Sequence, residues 1–135
     1  MASFDIAYNL TAKNEGGYTD NPDDNGNWTG GKKGIGKLVG TNYGISAPVL
    51  MKHLQREPTV DDVKNISAKL VKNIYRFDYW NVIRGDELLR QNIANMLYDA
   101  AVNMGCKQAI ILAQRAAGVK ETGVMNNNTV KTLNI

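Results

Sequence analysis

Glu15 stands directly before Gly16-Gly17, at the end of residues 4–14, a stretch that reads as a helix. The last turn of a helix is electrostatically negative and disfavours an ionised carboxylate. Shading by a neighbour such as Tyr18 works in the same direction, so this carboxyl is expected to keep its proton to higher pH than an ordinary glutamate. An acid protonated near neutral pH is what cleavage of a glycosidic bond needs on the leaving oxygen. The two glycines let the following backbone come close to a bound polymer. Asp20, Asp23 and Asp24 add carboxylates downstream, and Thr29 and Thr41 add hydroxyls that can position a water. Taken alone, a glutamate at a helix end is more often a solvated surface residue.

Other motifs give weaker chemistry. Gly31-Lys32-Lys33-Gly34-Ile35-Gly36-Lys37-Leu38 approaches a phosphate-binding loop, but Leu38 stands where a magnesium-holding hydroxyl belongs and no buried strand precedes it. Asn21, Asp23, Asn25 and Gly26 imitate the start of a calcium loop, yet its twelfth position is Lys32 rather than a bidentate glutamate. An Asx-rich turn is the better reading. His53 has no carboxylate partner nearby in sequence, and Cys106 has no catalytic histidine to pair with. One histidine and one cysteine rule out a Cys/His zinc cage and an internal disulfide. Arg84, Arg90 and Arg115 do not cluster with aromatics, so no nucleic-acid partner is expected. Nor is a metal or organic cofactor.

The elements that must position these residues are mostly helical. The 135 residues suit one compact unit, and 43% hydrophobic with 21% charged residues excludes wholesale disorder and fibrous repeats. The net charge of +3 would help approach to an anionic polymer without selecting one. No run of 18 apolar residues exists, so no stable membrane insertion is expected. Asp5, Asn9 and Lys13 interrupt the apolar block a Sec signal needs, so the chain is expected to be cytoplasmic when made.

Nine of the thirteen glycines lie between Gly16 and Gly44, marking residues 18–45 as a long loop or small hairpin. Around it the spacing predicts helices. Ser3 caps the first. Ser46, with Pro48 in its first turn, opens another running to about His53. Thr59 with Asp62 resembles a capping box, and Ser67 caps the next. Asp86 is expected to open the most clearly patterned helix, on which Leu89, Ile93, Met96, Leu97, Ala100 and Ala101 repeat near 3.6 and which Gly105 ends. Residues 107–117 form another, closed by Gly118, and Thr129 starts a last short one.

Glu15-Gly16-Gly17-Tyr18, then Asp23-Asp24-Asn25-Gly26, then Thr41-Asn42-Tyr43-Gly44-Ile45-Ser46 resemble the successive blocks of glycoside hydrolase family 108. That family holds lysozyme-like N-acetylmuramidases, phage and prophage endolysins and secretion activator proteins. Ile74-Tyr75-Arg76 with Tyr79-Trp80 resembles its next block. Asp99-Ala100-Ala101-Val102-Asn103-Met104-Gly105, followed by Gly123-Val124-Met125, resembles its C-terminal peptidoglycan-binding-type region.

The resemblance implies a mainly α, lysozyme-like helical domain whose long Gly/Asn/Asp-rich loop, about 18–45, is the active-site loop. It also implies a hydrolase region over 1–85 and a peptidoglycan-binding-type region over 86–135 packed onto it. In this reading Glu15 is the catalytic acid, with Asp24 and Thr41 as its catalytic partners. Tyr18, Asp23, Trp28, Tyr43 and Asn103 meet the substrate, although packing serves equally well for Trp28 and better for Tyr43 and Trp80. The reaction implied is hydrolysis of the β-1,4 bond between N-acetylmuramic acid and N-acetylglucosamine in peptidoglycan. A lytic transglycosylase, or a non-catalytic peptidoglycan-binding secretion accessory, are the alternatives. Carboxylate spacing, which separates inverting from retaining chemistry, is not readable from sequence. A holin or other export partner would bring the protein to the wall.

The pattern departs from the family at one place. Asn27 replaces the second glycine of the turn, and residues 28–40 look inserted before Thr41. The insert is expected to form a lip, with Trp28 as a sugar platform and Lys32, Lys33 and Lys37 facing the acidic wall polymer. The chain ends at Thr132-Leu133-Asn134-Ile135, where the resemblance implies a further helical segment.

Overall fold

Ser3 Oγ accepts from the Ile6 amide at 3.5 Å and opens α1, Phe4–Thr11, as its residue type predicts. The computed structural model describes residues 1–12 and 16–135, so the expected end of this helix, with Glu15, lies outside the described residues. The chain is mainly helical. After α1 come α2 (Ala47–Leu54), α3 (Val60–Lys64), α4 (Ala68–Tyr75), α5 (Gln91–Met104), α6 (Cys106–Ala117) and α7 (Asn127–Leu133). Isolated bridges between residues 19 and 45 are the β-type pairing among the described residues. Among those residues no helix is long and apolar enough to cross a membrane.

Two compact units divide the fold, one of residues 1–13 with 75–135 and the other of residues 14–74. In the first, the core is aromatic. Phe4 meets Tyr8, Trp80 and Tyr98 at ring-centroid distances of 5.4, 5.6 and 5.8 Å. Trp80 is fully buried and its indole N–H donates to Asp86 Oδ1 at 2.9 Å. Gly85 lies against the Trp80 ring so closely that a Cβ there would fall 2.2 Å from it. The helix expected to open at Asp86 opens at Gln91 instead. Asp86 belongs to a 3₁₀ turn, Gly85–Glu87, because its carboxylate is held by Trp80 and Arg76 and Arg84 turns the chain with a φ of +54°. Leu88, rather than Leu89, is the residue delivered to the core. Gly105 and Gly118 end α5 and α6 as predicted. Gln114, fully buried on α6, ties down the following loop by donating to Val124 O at 2.9 Å and accepting from Thr122 N at 2.9 Å.

In the second unit the capping box of α3 is complete. Asp62 N donates to Thr59 Oγ1 at 3.1 Å and Thr59 N donates to Asp62 Oδ2 at 2.8 Å. Arg56 Nη1 reaches the same carboxylate at 2.6 Å. The Asn42 amide group donates to the carbonyls of Val63 and Lys64, at 3.1 and 3.2 Å, which anchors the Thr41-Asn42-Tyr43 block on α3. α2 follows Ser46 with Pro48 in its first turn, and Ser67 Oγ accepts from Leu70 N at 3.1 Å to start α4.

Gly85→Ala should lower stability by about 1–3 kcal/mol, the usual cost of overpacking a filled core. Thermal unfolding checks it, and an unchanged midpoint would mean that Trp80 has room to move. Asp62 is held below the ordinary carboxylate range by the Arg56 hydrogen bond and then the Thr59 amide. Its ionised form therefore favours the folded state above the ordinary value of 3.8, and that contribution fades as pH falls through the lower folded value. Asp62→Asn should cost about 0.5–1 kcal/mol at neutral pH, the range for a partly exposed pair. Denaturant titrations at stepped pH should show the gap closing in acid.

Candidate active site

The loop between α1 and α2 is built around Asn27, which is fully buried. Its amide nitrogen donates to Asn21 O at 3.0 Å, and its backbone oxygen accepts from Val39 N at 2.9 Å and Gly40 N at 3.0 Å. Its Oδ1 accepts from the Thr41 hydroxyl at 2.6 Å. Thr41 is further held by a reciprocal backbone pair with Thr19, both bonds 2.8 Å. Asp24 enters from the other side. It caps the 3₁₀ turn Asn25–Asn27, with Oδ1 accepting from Gly26 N at 2.9 Å. Gly26 lies between the two side chains: a Cβ on it would sit 3.4 Å from Asp24 Oδ1 and 3.9 Å from Thr41 Oγ1. The loop thus brings a carboxylate and a hydroxyl to one glycine, and any larger residue would fill the space beside them.

Residues 28–40 leave this neck and return to it. Trp28 bridges Leu38, Thr29 N donates to Lys37 O at 2.9 Å, and Gly30 N donates to Ile35 O at 3.0 Å. Thr29 is buried and its hydroxyl is used in both directions, donating to Glu57 Oε1 at 2.9 Å and accepting from Lys37 N at 2.8 Å. That hydroxyl, expected to be free for a water, is part of the scaffold. Gly36, with a φ of +81°, packs so close that a Cβ would fall 2.2 Å from Thr29 Oγ1. Lys33 fastens the lobe to the neck. Its backbone amide donates to Asn25 Oδ1 at 2.9 Å, and its ammonium pairs with Asp23 at 2.6 Å.

Tyr18 also braces the neck. Its hydroxyl donates to Val39 O at 2.8 Å, and Gly40 leaves room for its ring, since a Cβ there would fall 2.6 Å from it. Burial, with the charge of Asp20 second, raises its pKa above the ordinary phenol value. Trp28 is half-buried, and its indole N–H donates to Pro22 O at 2.8 Å. Tyr43 is exposed and holds a φ of +52°, with its amide donating to Asn42 Oδ1 at 3.0 Å. Asn103 belongs to the other unit, where its side chain donates to Asp99 O at 2.8 Å, one turn back along α5. Cys106 is half-buried, its thiol directed at Asp78 O, and burial pushes its pKa up, away from a reactive thiolate. Asp24, Thr41, Tyr18, Asp23, Trp28 and Tyr43 therefore share one unit.

Sequence reading missed the part played by Asn27 and the Glu57 clamp on Thr29. The visible signal was a polar residue replacing a turn glycine, which asks for buried partners. A separate groove of about 310 Å³ lies in the first unit, lined by Ile93, Leu97, Ala109, Leu112 and Leu133 among others. Its aliphatic lining offers no acid or base.

Residues 8–105 match the model of a family described as glycosyl hydrolase 108. The solved structure of Brucella abortus SagA is similar, with a TM-score of 0.72 and 29% identity, covering 96% of this chain and 67% of that one. No curated protein matches the sequence. With most of its length under the family model, and with the loop that carries the motif blocks folded as a unit of polar side chains, the chain belongs to the glycosyl hydrolase 108 family.

Proposed function

We propose that the chain is an N-acetylmuramidase that hydrolyses the β-1,4 bond between N-acetylmuramic acid and N-acetylglucosamine. Glu15 is the general acid that protonates the leaving oxygen. The observation that carries the reading is the convergence of Asp24 and Thr41 on Gly26.

Thr41 has one hydroxyl proton and directs it into the loop, at Asn27 Oδ1 at 2.6 Å with Gly26 O as a second acceptor at 3.3 Å. Toward a water it can only accept. An ionised Asp24 can likewise only accept. A water lying between them donates both protons inward and turns a lone pair outward, toward a sugar carbon. Asp24 then takes a proton as the bond to oxygen forms. An inverting glycosidase uses a water activated in this way together with an acid that protonates the leaving oxygen. Trp28 gives a sugar platform at the edge of the loop, and residues 86–135 serve as the peptidoglycan-binding-type region. The protein acts on the wall after leaving the cytoplasm, in lysis or in opening wall for secretion, with a holin or similar export partner.

Glu15→Gln should lower clearing of chloroform-treated Gram-negative cells about 100- to 10,000-fold, the range for loss of a general acid. Equal clearing by both proteins would remove Glu15 from this role. If neither clears while both pull down sacculi, the chain is a binding accessory instead.

Asp24→Asn keeps an acceptor for the Gly26 amide and loses the charge. It should leave the fold intact and reduce turnover about 100-fold or more. Mass spectrometry of the fragments should find reducing ends, and NMR of the first product should find the inverted anomer. Anhydro ends would identify a lytic transglycosylase, and a retained anomer would make Asp24 a nucleophile.

A further inference from the structure

Between Asp24 and Glu57 the chain has no acidic residue, yet it carries Lys32, Lys33, Lys37, Lys52 and Arg56. Three of these five cations lie on the lobe 28–40. The structure gives them unequal tasks. Lys33 is tied to Asp23, and Arg56 is tied to Asp62. Lys32 and Lys37 are exposed and pair with no carboxylate among the described residues.

The lobe that presents them is not a loose loop. Thr29, Glu57 and Gly36 lock its base, Asn25 and Asp23 hold Lys33, and Gly31 and Gly34 turn the tip with φ of +80°. A backbone fastened at this many points holds in place the stretch of chain from which the two unpaired lysines extend. Unpaired cations on a backbone that is already ordered attract a polyanion without the cost of ordering the loop.

We propose that residues 28–40 are a docking finger for the carboxylates of the peptide stems on the glycan, with Lys32 and Lys37 as the contacts. This rests on the muramidase reading and narrows its substrate to glycan that still carries charged peptides. Ammonium groups on flexible stems suit dispersed carboxylates, which come in variable positions along a peptide. Exposed pairs of this kind weaken as salt screens them.

The test uses Gram-negative sacculi, which hold no phosphate polymer, with their amines acetylated. In one portion the carboxylates stay free, and in the other they are converted to neutral amides. The Glu15→Gln protein should be retained several-fold better by the free-carboxylate portion in low salt. Lys32→Gln/Lys37→Gln in the same background should lose most of that preference, and Lys32→Arg/Lys37→Arg should keep it. In 0.5 M sodium chloride the preference should vanish for all three proteins. Equal retention on both portions, or a preference untouched by the glutamine pair, overturns the proposal.

Because retention is scored without turnover, the docking result is independent of whether the chain cuts the bond. With Glu15 intact, the ratio of fragment release from the two portions should fall about five-fold in the glutamine pair, in keeping with the modest worth of exposed charges. Absence of fragments from both portions would sink the muramidase reading and leave the docking result standing.

Discussion

One buried amide organises the loop that carries Asp24 and Thr41. Asn27 has no exposure, and each polar atom of its side chain has a partner. A buried amide left without such partners would cost more than the bonds themselves contribute. The loop therefore has little choice of path: it must bring Asn21 to one side of Asn27, Thr41 to the other, and the amides of Val39 and Gly40 to its backbone oxygen. Gly40 and Tyr18 follow from this, since the returning chain passes against the phenol ring and leaves no space for a Cβ. Thr41 is placed by the same constraint, and the direction of its hydroxyl proton with it.

Much of the helical frame was legible because its signals are local. Ser3, Ser67 and the Thr59–Asp62 box act on amides two or three residues away, and Gly105 and Gly118 end helices by their own backbone preference. The start of α5 was misread because its boundary is set at a distance. Leu89 continues the apolar period of the helix, but Trp80 and Arg76 take the Asp86 carboxylate, and Gly85 is pinned beneath the indole. Tertiary partners of this kind leave no mark in a periodicity.

The active-site loop was legible in a different way. Its residue types and block order identified the family, while the geometry inside it was not readable. Asn27 looked like a lost glycine. The structure makes it the hub, and Val39 and Gly40, at the end of the 28–40 excursion, donate to its backbone oxygen. Thr29 was read as a free hydroxyl because its two partners, Glu57 and the Lys37 amide, come from outside its own turn.

Asp23 and Asp24 show how neighbouring identical side chains come to do different work. Asp23 faces the lobe and holds Lys33. Asp24 turns inward to the Gly26 amide, a neutral donor, and forms no ion pair among the described residues. A lysine on Asp24 would compete with any water for its oxygens. A lobe with three lysines a few residues along the chain from Asp24 invites that mispairing. Giving Lys33 its own carboxylate, one residue away in sequence from Asp24, removes that cation from the contest. With Lys33 paired to Asp23, Asp24 keeps the neutral Gly26 amide as its partner.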